Sequence, residues 1–229
     1  MSWAEVMKIN DNVKKPLNEQ IREAKFLPLR IITVTGTYTP EKNGIYKVIC
    51  VGAGGNGAST CTSGGYHTSS SGGGGGVSIK TLKLLTSSTY NVTVGTTASF
   101  SYGSDSITAT AGGNASSGTG SATGGKGGTA SGGDYNYPGN DGTGSKGNSV
   151  YNVPGSVGVH IGELSRSTNA WCTIVNGCYE LKYGDSILGY GGSGNGFCYW
   201  GSSATGEYGS QSTTGLPAAV IIIPLEMEE

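Results

Sequence analysis

The sequence predicts a mainly β protein in three parts: a short N-terminal amphipathic helix, a small antiparallel β-sheet region, and a bundle of polyglycine-II-type helices with inserted loops. Glycine accounts for 43 of the 229 residues, well over twice the usual share of roughly 7%. An apolar stripe with helical spacing occurs only near the N-terminus, whereas apolar and polar residues alternate within residues 31–111. We therefore divide the chain into residues 1–30, 31–111 and 112–229.

Composition limits the classes of function. A formal net charge of -1 argues against binding to nucleic acid or to a charged membrane surface. We expect no membrane insertion, because no segment reaches the roughly 18 apolar residues of a membrane span. The N-terminus lacks the apolar core of a signal peptide, which indicates synthesis in the cytoplasm without export. Thirteen tyrosines and three tryptophans argue against a disordered chain.

The N-terminal segment carries one apolar stripe. Its members recur every three or four residues, as on one face of a helix: Val6, Ile9, Val13, Leu17 and Ile21. Pro16 interrupts the stripe and is suited to begin a second helical piece. The stripe is too short for a self-sufficient coiled coil, so it needs a surface on its own domain or on a partner. We assign Trp3 and this stripe to assembly and attachment.

The next region is predicted as short β-strands. β-Branched and aromatic residues dominate 31–39 and 45–51, and Lys42-Asn43-Gly44 between them is typical of a hairpin turn. Alternation predicts further strands over 77–84, 90–94 and 106–110. Five or six such strands separated by turn residues indicate a sandwich or a barrel-like sheet.

From Gly112 onward glycines recur at intervals of three, as in Gly124/Gly127 and Gly139/Gly142. Three residues per turn is the period of polyglycine-II-type helices, and glycine would let several of them pack closely side by side. Chance spacing in a glycine-rich segment is the alternative explanation. Collagen is excluded, because strict Gly-X-Y repetition is missing and there are only seven prolines.

Three less glycine-rich inserts interrupt this region: 134–137, 149–188 and 197–200. Within the longest, Asn176-Gly177 predicts a two-residue hairpin turn between Trp171–Val175 and Cys178–Lys182. This register places Cys172 and Cys178 on opposite faces, so we expect no disulfide between them.

Enzyme chemistry finds little support. Gly52-Ala-Gly-Gly-Asn-Gly57 fits the dinucleotide-binding pattern, but residues 58–76 lack both the helical periodicity and the acidic residue that such a site requires. The two histidines, His67 and His160, are not in a metal-ligand or nucleophile context. No spacing selects a pair of catalytic carboxylates. We therefore expect no catalytic residue, no metal and no cofactor.

Aromatic residues among Ser, Gly and Asn are the best candidates for function. Rigid aromatic anchors beside small adaptable polar groups are the chemistry of antibody-like binding loops. Tyrosine and tryptophan also stack on sugar rings and fill pockets on protein partners. The candidates for receptor binding are Tyr135, Tyr137, Trp171, Tyr183, Tyr199, Trp200 and Tyr208. About half of the aromatics in this region are expected to be structural, Tyr179 among them.

Several segments together resemble the glycine-rich domain of phage tail-fibre proteins. They are Val48–Gly55, Gly72–Val77, Tyr90–Gly95, Ile107–Gly113 and the closing Gly215–Ile223. The best-known members are receptor-binding adhesins at the tips of T-even-type long tail fibres. In that family, polyglycine-II helices form a sandwich, and variable loops between them recognise the bacterial surface.

The opening residues Trp3–Asn10 and Lys15–Leu17 resemble the start of prophage-encoded tail proteins of Gram-positive bacteria. The chain departs from the T-even pattern in its insert at 149–188 and in its cysteines, so no functional residue is carried over.

The resemblance implies a protein of the virion tail that binds a bacterial surface carbohydrate or protein through its loops. It implies attachment to other tail-fibre or baseplate proteins through the N-terminal segment, and a homotrimer is compatible with it. Two alternatives remain open. One is a structural fibre or baseplate component without receptor contact, and the other is a glycine-rich ice-binding protein.

Overall fold

The computed structural model describes residues 29–61, 67–146, 182–183, 186–187, 191, 196–200, 208–212 and 214–228. Within these ranges the regular secondary structure consists of β-strands, and every strand pairing is antiparallel. The first nine strands are β1 (Arg30–Ile32), β2 (Gly36–Tyr38), β3 (Gly44–Val51), β4 (Ala58–Cys61), β5 (His67–Ser70), β6 (Val77–Leu84), β7 (Tyr90–Val94), β8 (Ala98–Tyr102) and β9 (Asp105–Ala109). The others are β10 (Ser116–Gly118), β11 (Ser121–Thr123), β12 (Ala130–Ser131), β13 (Tyr135–Tyr137), β14 (Gly144–Lys146), β15 (Lys182–Tyr183), β16 (Ser186–Ile187), β17 (Gly196–Trp200), β18 (Tyr208–Ser212) and β19 (Ala219–Met227).

Two five-stranded sheets form a sandwich. The first sheet has the strand order β1-β19-β3-β6-β13, and the second has the order β12-β9-β8-β7-β2. The core between them is lined from the first sheet by residues such as Val48 and Ile222 and from the second by Phe100 and Ile107, all fully buried. Burying these side chains on facing sheets is the main source of stability in such an arrangement.

The predicted strands within 31–111 are confirmed over 45–51, 77–84, 90–94 and 106–109, which correspond to β3, β6, β7 and β9. The predicted hairpin across Lys42-Asn43-Gly44 is wrong. β3 pairs with β6 and β19, while β1 pairs with β19 and β2 pairs with β7. The segment 31–39 is divided between the two sheets, because it crosses from one to the other after Ile32 and so never lies beside β3.

The last strand, β19, occupies a central position. It pairs with β3 along its whole length and with β1 on its other side, so the two ends of the described chain meet in one sheet. Ala219 to Ile222 are buried at 2% exposure or less, which agrees with a strand covered on both faces. A register shift between Pro224 and Glu226 marks a bulge near the C-terminus.

Among the continuously described parts of the chain, six glycine-containing segments leave the sandwich on one side, and we call them the glycine layer. They are residues 52–57, 71–76, 110–115, 124–129, 138–143 and 214–218, and each joins a sandwich strand to a smaller strand beyond the layer. Backbone amides bond from one segment to another, as from Gly73 to the carbonyl of Gly113 at 2.9 Å and from Gly128 to that of Gly74 at 2.8 Å. The layer is held together by main-chain pairing, which satisfies its polar groups.

Glycine is required in this layer by space. A Cβ added at Gly52, Gly55, Gly73 or Gly125 would approach a neighbouring carbonyl oxygen well inside 3.0 Å, a separation that real Cβ atoms essentially never show. The spacing of three therefore marks positions where one segment's backbone lies against another's.

The predicted bundle of polyglycine-II-type helices is wrong, because the described residues contain no helix of any kind and form antiparallel sheets instead. Beyond residue 112, the described residues form the ten strands β10 to β19. Antiparallel ladders flank the glycine segments at both ends. The last strand, β19, returns from this region into the sandwich. The predicted N-terminal amphipathic helix lies outside the described residues.

Candidate functional site

Beyond the glycine layer, three small sheets form a compact end that we call the tip. They are the sheet β14-β5-β4, the hairpin β10-β11 and the hairpin β17-β18. Their strands contact one another across sheets, with β10 and β17 both lying against β4 and β5. Six glycine-layer residues span at most about 20 Å, so the strands of the tip begin within about 20 Å of the sandwich strands.

Hydroxyl groups hold the tip together. The Thr68 hydroxyl lies 2.7 Å from that of Ser117 and 3.0 Å from the carbonyl oxygen of Gly118. Ser70 donates to the carbonyl of Ser116 at 2.8 Å. Thr68 and Ser70 are fully buried, so β5 packs against β10 through satisfied polar contacts where the sandwich uses apolar ones.

This packing gives a measurable expectation. We expect Thr68→Val to lower the free energy of unfolding by about 1–2 kcal/mol, because the replacement keeps the volume but leaves the Gly118 carbonyl and the Ser117 hydroxyl without this partner. Urea unfolding measures the change. Thr123→Val, at an exposed position on β11 of the neighbouring hairpin, is the matched control and should change stability by less than about 0.5 kcal/mol. Equal effects of the two substitutions would contradict the proposed role of the hydroxyl contacts.

Asparagine side chains complete the hydrogen bonding at the tip side of the glycine layer. The Asn114 side chain accepts from the Asn56 amide at 2.8 Å, and the Asn56 side chain accepts from the Gly215 amide at 2.9 Å. Nearby, the amides of Gly52, Gly54 and Gly55 donate to backbone carbonyls of other segments. These glycines of the dinucleotide-like motif therefore serve the layer, and their amides are not turned towards a phosphate.

The hairpin β17-β18 brings three of the predicted receptor-binding residues to the tip. Trp200 and Tyr208 are directly paired across the two strands, and Tyr199 pairs with Gly209. Positions 200 and 208 are therefore the pair of this ladder at the end of β17 and the start of β18. Gly196, at the other end of β17, lies against the backbone of Ala58 in β4 and anchors the hairpin to the tip.

The structure places two other candidates away from the tip. Tyr135 and Tyr137 lie in β13, the edge strand of the first sandwich sheet, on the opposite side of the glycine layer. Tyr135 is 62% exposed, whereas Tyr137 is partly buried against the apolar cluster around Val77 and Ile79. Tyr137 therefore contributes to packing, and Tyr135 is available to solvent at a separate place.

The remaining candidates are less fully placed. Tyr183 lies in β15, which pairs with β16 in a two-stranded ladder. Trp171, with the predicted hairpin and cysteines around Asn176-Gly177, lies outside the described residues. So do the assembly residues Trp3, Val6, Ile9, Val13, Leu17 and Ile21.

Charged side chains contribute to the glycine layer and to the sandwich edge. Lys126 lies 2.5 Å from Asp141, whose other oxygen accepts from the Gly127 amide at 2.8 Å. The side-chain bond from Lys126, followed by that amide, holds the pKa of Asp141 below its usual value. At the sandwich edge, the Thr81 amide and then the Lys80 ammonium lower the pKa of Asp134. Both carboxylates are thus bound to neighbouring segments and stabilise connections between them.

Among the described residues, no group of three or more His, Cys, Asp or Glu side chains is placed to hold a metal ion. In the same part of the chain, no helix has the length and apolar character needed to span a bilayer.

The sequence interpretation missed the polar residues that build the tip. The Ser/Thr-rich segments next to glycine runs, at 58–60, 67–71 and 116–123, were the available signal. Such residues are usually exposed. Only their pairing across strands reveals that Thr68, Ser69 and Ser70 are buried.

Residues 32–219 match the profile of a family described as a glycine-rich domain, which covers most of the chain. No curated protein matches the sequence.

Proposed function

We propose that this chain, which belongs to the family of glycine-rich domains, is a non-enzymatic adhesin at the tip of a tail fibre of a phage or phage-tail-like particle. In this proposal the tip binds a bacterial surface carbohydrate or protein. The sandwich and the N-terminal segment connect the chain to other fibre or baseplate proteins of the virion.

The observation that carries the proposal is that the two ends of the described chain lie at the sandwich, away from the tip. Both ends of the described chain, Leu29 and Glu228, are next to strands of the sandwich. The small sheets of the tip lie beyond the glycine layer, with Trp200 paired to Tyr208. An adhesin needs this separation, because the end held by the particle must not obstruct the end that meets the cell.

The chemistry of the tip favours a neutral, polar ligand. Tyrosine and tryptophan, which β17 and β18 carry at positions 199, 200 and 208, are suited to stack on sugar rings. Surface carbohydrate is therefore the first ligand class to test, and surface protein is the second.

The alternatives predict different behaviour. A structural component without receptor contact would not bind cells. An ice-binding protein needs a regular flat face, and the tip instead consists of three small separate sheets. A thermal-hysteresis assay tests that alternative directly.

Binding can be tested with the purified full-length chain, fluorescently labelled, on Gram-positive cells that are intact, protease-treated or periodate-treated. We expect saturable binding that survives protease and is lost after periodate oxidation of sugars. Trp200→Ala should raise the Kd at least tenfold. Truncation of a central aromatic anchor typically costs about 2 kcal/mol or more of binding free energy, which corresponds to about a thirtyfold rise in Kd.

Tyr135→Ala is the matched control, because Tyr135 is also an exposed aromatic residue but lies on the sandwich edge. It should leave the Kd unchanged. Weakening by Tyr135→Ala without an effect of Trp200→Ala would contradict the assignment of binding to the tip. The absence of cell binding by the folded wild-type chain on any tested strain would favour the structural alternative.

A further inference from the structure

The sandwich has a second apolar surface on the side away from its core. We call it the outer face of the first sheet. One row of paired residues crosses all five strands of this sheet in register: Ile31, Ile221, Ile49, Ile79 and Tyr135. Val51 and Val77 lie beside this row on the same face, since side chains alternate along each strand.

Burial along this row is uneven. Ile221, Ile49 and Ile79 in the middle are exposed by 1%, 0% and 6%, whereas Ile31 and Tyr135 at the two edges are exposed by 39% and 62%. A bare outer face would expose its middle as well as its edges. Something therefore covers the three central strands and leaves the edge strands open.

The described strands do not supply this cover. The second sheet packs on the opposite face, where Val48, Val220 and Phe100 belong to the core of the sandwich. The apolar residues clustered on the outer face all lie in the first sheet itself, apart from Leu29, which immediately precedes β1. Leu29 is also where the described N-terminal part begins, so the chain enters the structure at this face.

We propose that residues 17–28 lie across the outer face of the first sheet and bury its central row through the apolar side chains of Leu17, Ile21, Phe26 and Leu27. Residues 17–28 lead along the chain into Leu29, which packs on the apolar residues of the outer face. The longest of the other segments outside the described ranges, residues 147–181, follows β14 at the tip.

The length is sufficient for a helix and for any more extended chain. Three central strands about 4.8 Å apart are roughly 10 Å across. Twelve residues span about 18 Å even at the smallest usual rise of 1.5 Å per residue. Residues 1–16, with Trp3, Val6, Ile9 and Val13, are then left over for a partner. The C-terminal part of the apolar stripe then packs on the chain's own sandwich, and its N-terminal part serves attachment to a partner.

A second copy of the chain is the competing occupant. The middle of the row is buried within a single chain, which favours an intramolecular cover. The proposal concerns the sandwich and does not depend on what the tip binds. It can therefore fail while the adhesin function holds, and the reverse.

Two double substitutions in the full-length chain test the division. Leu17→Asp with Ile21→Asp should lower the Tm by several degrees and at least double the fluorescence of the apolar dye ANS, because it uncovers the outer face. Val6→Asp with Ile9→Asp, the matched pair, should leave both unchanged. Equal responses of the two pairs would overturn the proposal.

A photo-cross-link detects the contact between residue 21 and the outer face without destabilising the fold. Ile21 replaced by benzoylphenylalanine should form, on irradiation, a cross-link within the monomer to a peptide from β3 or β19. The same replacement at Val6 should not. Cross-links from position 21 only between chains would assign the face to a second copy, and cross-links only to tip peptides would also overturn the proposal.

Discussion

Alanine at Gly125 should abolish or severely weaken cooperative folding, with a loss of about 3 kcal/mol or more in the free energy of unfolding. Gly125 lies where segments of the glycine layer meet. Its amide donates to the carbonyl of Ser71 at 3.0 Å, and its carbonyl accepts from the amide of Gly142 at 2.7 Å. An added Cβ would overlap the carbonyl oxygen of Gly113 and press on the amide of Gly73.

The cost is large because the clashing atoms belong to the backbone. A flexible side chain could move aside, but Gly113 and Gly73 are themselves held by amide-to-carbonyl bonds to other segments. Relief of the overlap would break several of these bonds and leave buried polar groups unpaired.

Gly95→Ala provides the control, since a Cβ at this position meets no atom within 4 Å. It should change the free energy of unfolding by less than about 1 kcal/mol. Urea unfolding followed by circular dichroism, together with the Tm, measures both variants. A Gly125→Ala protein as stable as Gly95→Ala would show that the layer does not need close contact between its segments.

Phe100→Ala is expected to cost about 3–5 kcal/mol, the usual range for truncating a buried phenylalanine. Phe100 is fully buried in β8, and its ring stacks on that of Tyr90 with centroids 5.4 Å apart. Truncation removes this contact and leaves a cavity between the two sheets, where Ile107 and Val48 are already packed.

The matched control for the sandwich is Leu225→Ala in β19, because that side chain is 51% exposed. It should cost less than about 1 kcal/mol in the same urea titration. A loss below about 1 kcal/mol for Phe100→Ala would show that the two sheets do not share one close-packed core. Thr68→Val tests the tip separately, and its smaller expected effect reflects the loss of hydrogen bonds without the loss of volume.

These three positions illustrate how the protein uses different interactions along its length. Apolar burial around Phe100 stabilises the sandwich, backbone pairing around Gly125 stabilises the layer, and hydroxyl contacts around Thr68 stabilise the tip. The tip that carries the proposed ligand site is thus held together by polar contacts and lies beyond the glycine layer, away from the apolar core. Changes of sequence at the tip therefore have limited consequences for the sandwich.

The candidate site was only partly predictable. The aromatic composition of 197–200 identified Trp200 as a candidate, and its cross-strand partner Tyr208 was named as well. Their pairing required the register of β17 and β18. By the same criterion Tyr135 and Tyr137 looked equivalent, yet β13 belongs to the sandwich. Composition does not distinguish these cases, because it contains no information on which sheet a short strand joins.

Local sequence is enough to locate the strands whose apolar residues alternate, such as β6 and β7, because a half-buried sheet imposes a period of two on each strand separately. It also determined where backbones would come into close contact, because only glycine fits there. How these pieces combine is visible only in the folded protein: β1 and β2 separate into different sheets, β19 returns between β1 and β3, and antiparallel ladders replace the expected bundle of helices. The physical reason is that pairing partners far apart in the chain are selected by the shared burial of whole faces, a property that no local pattern contains.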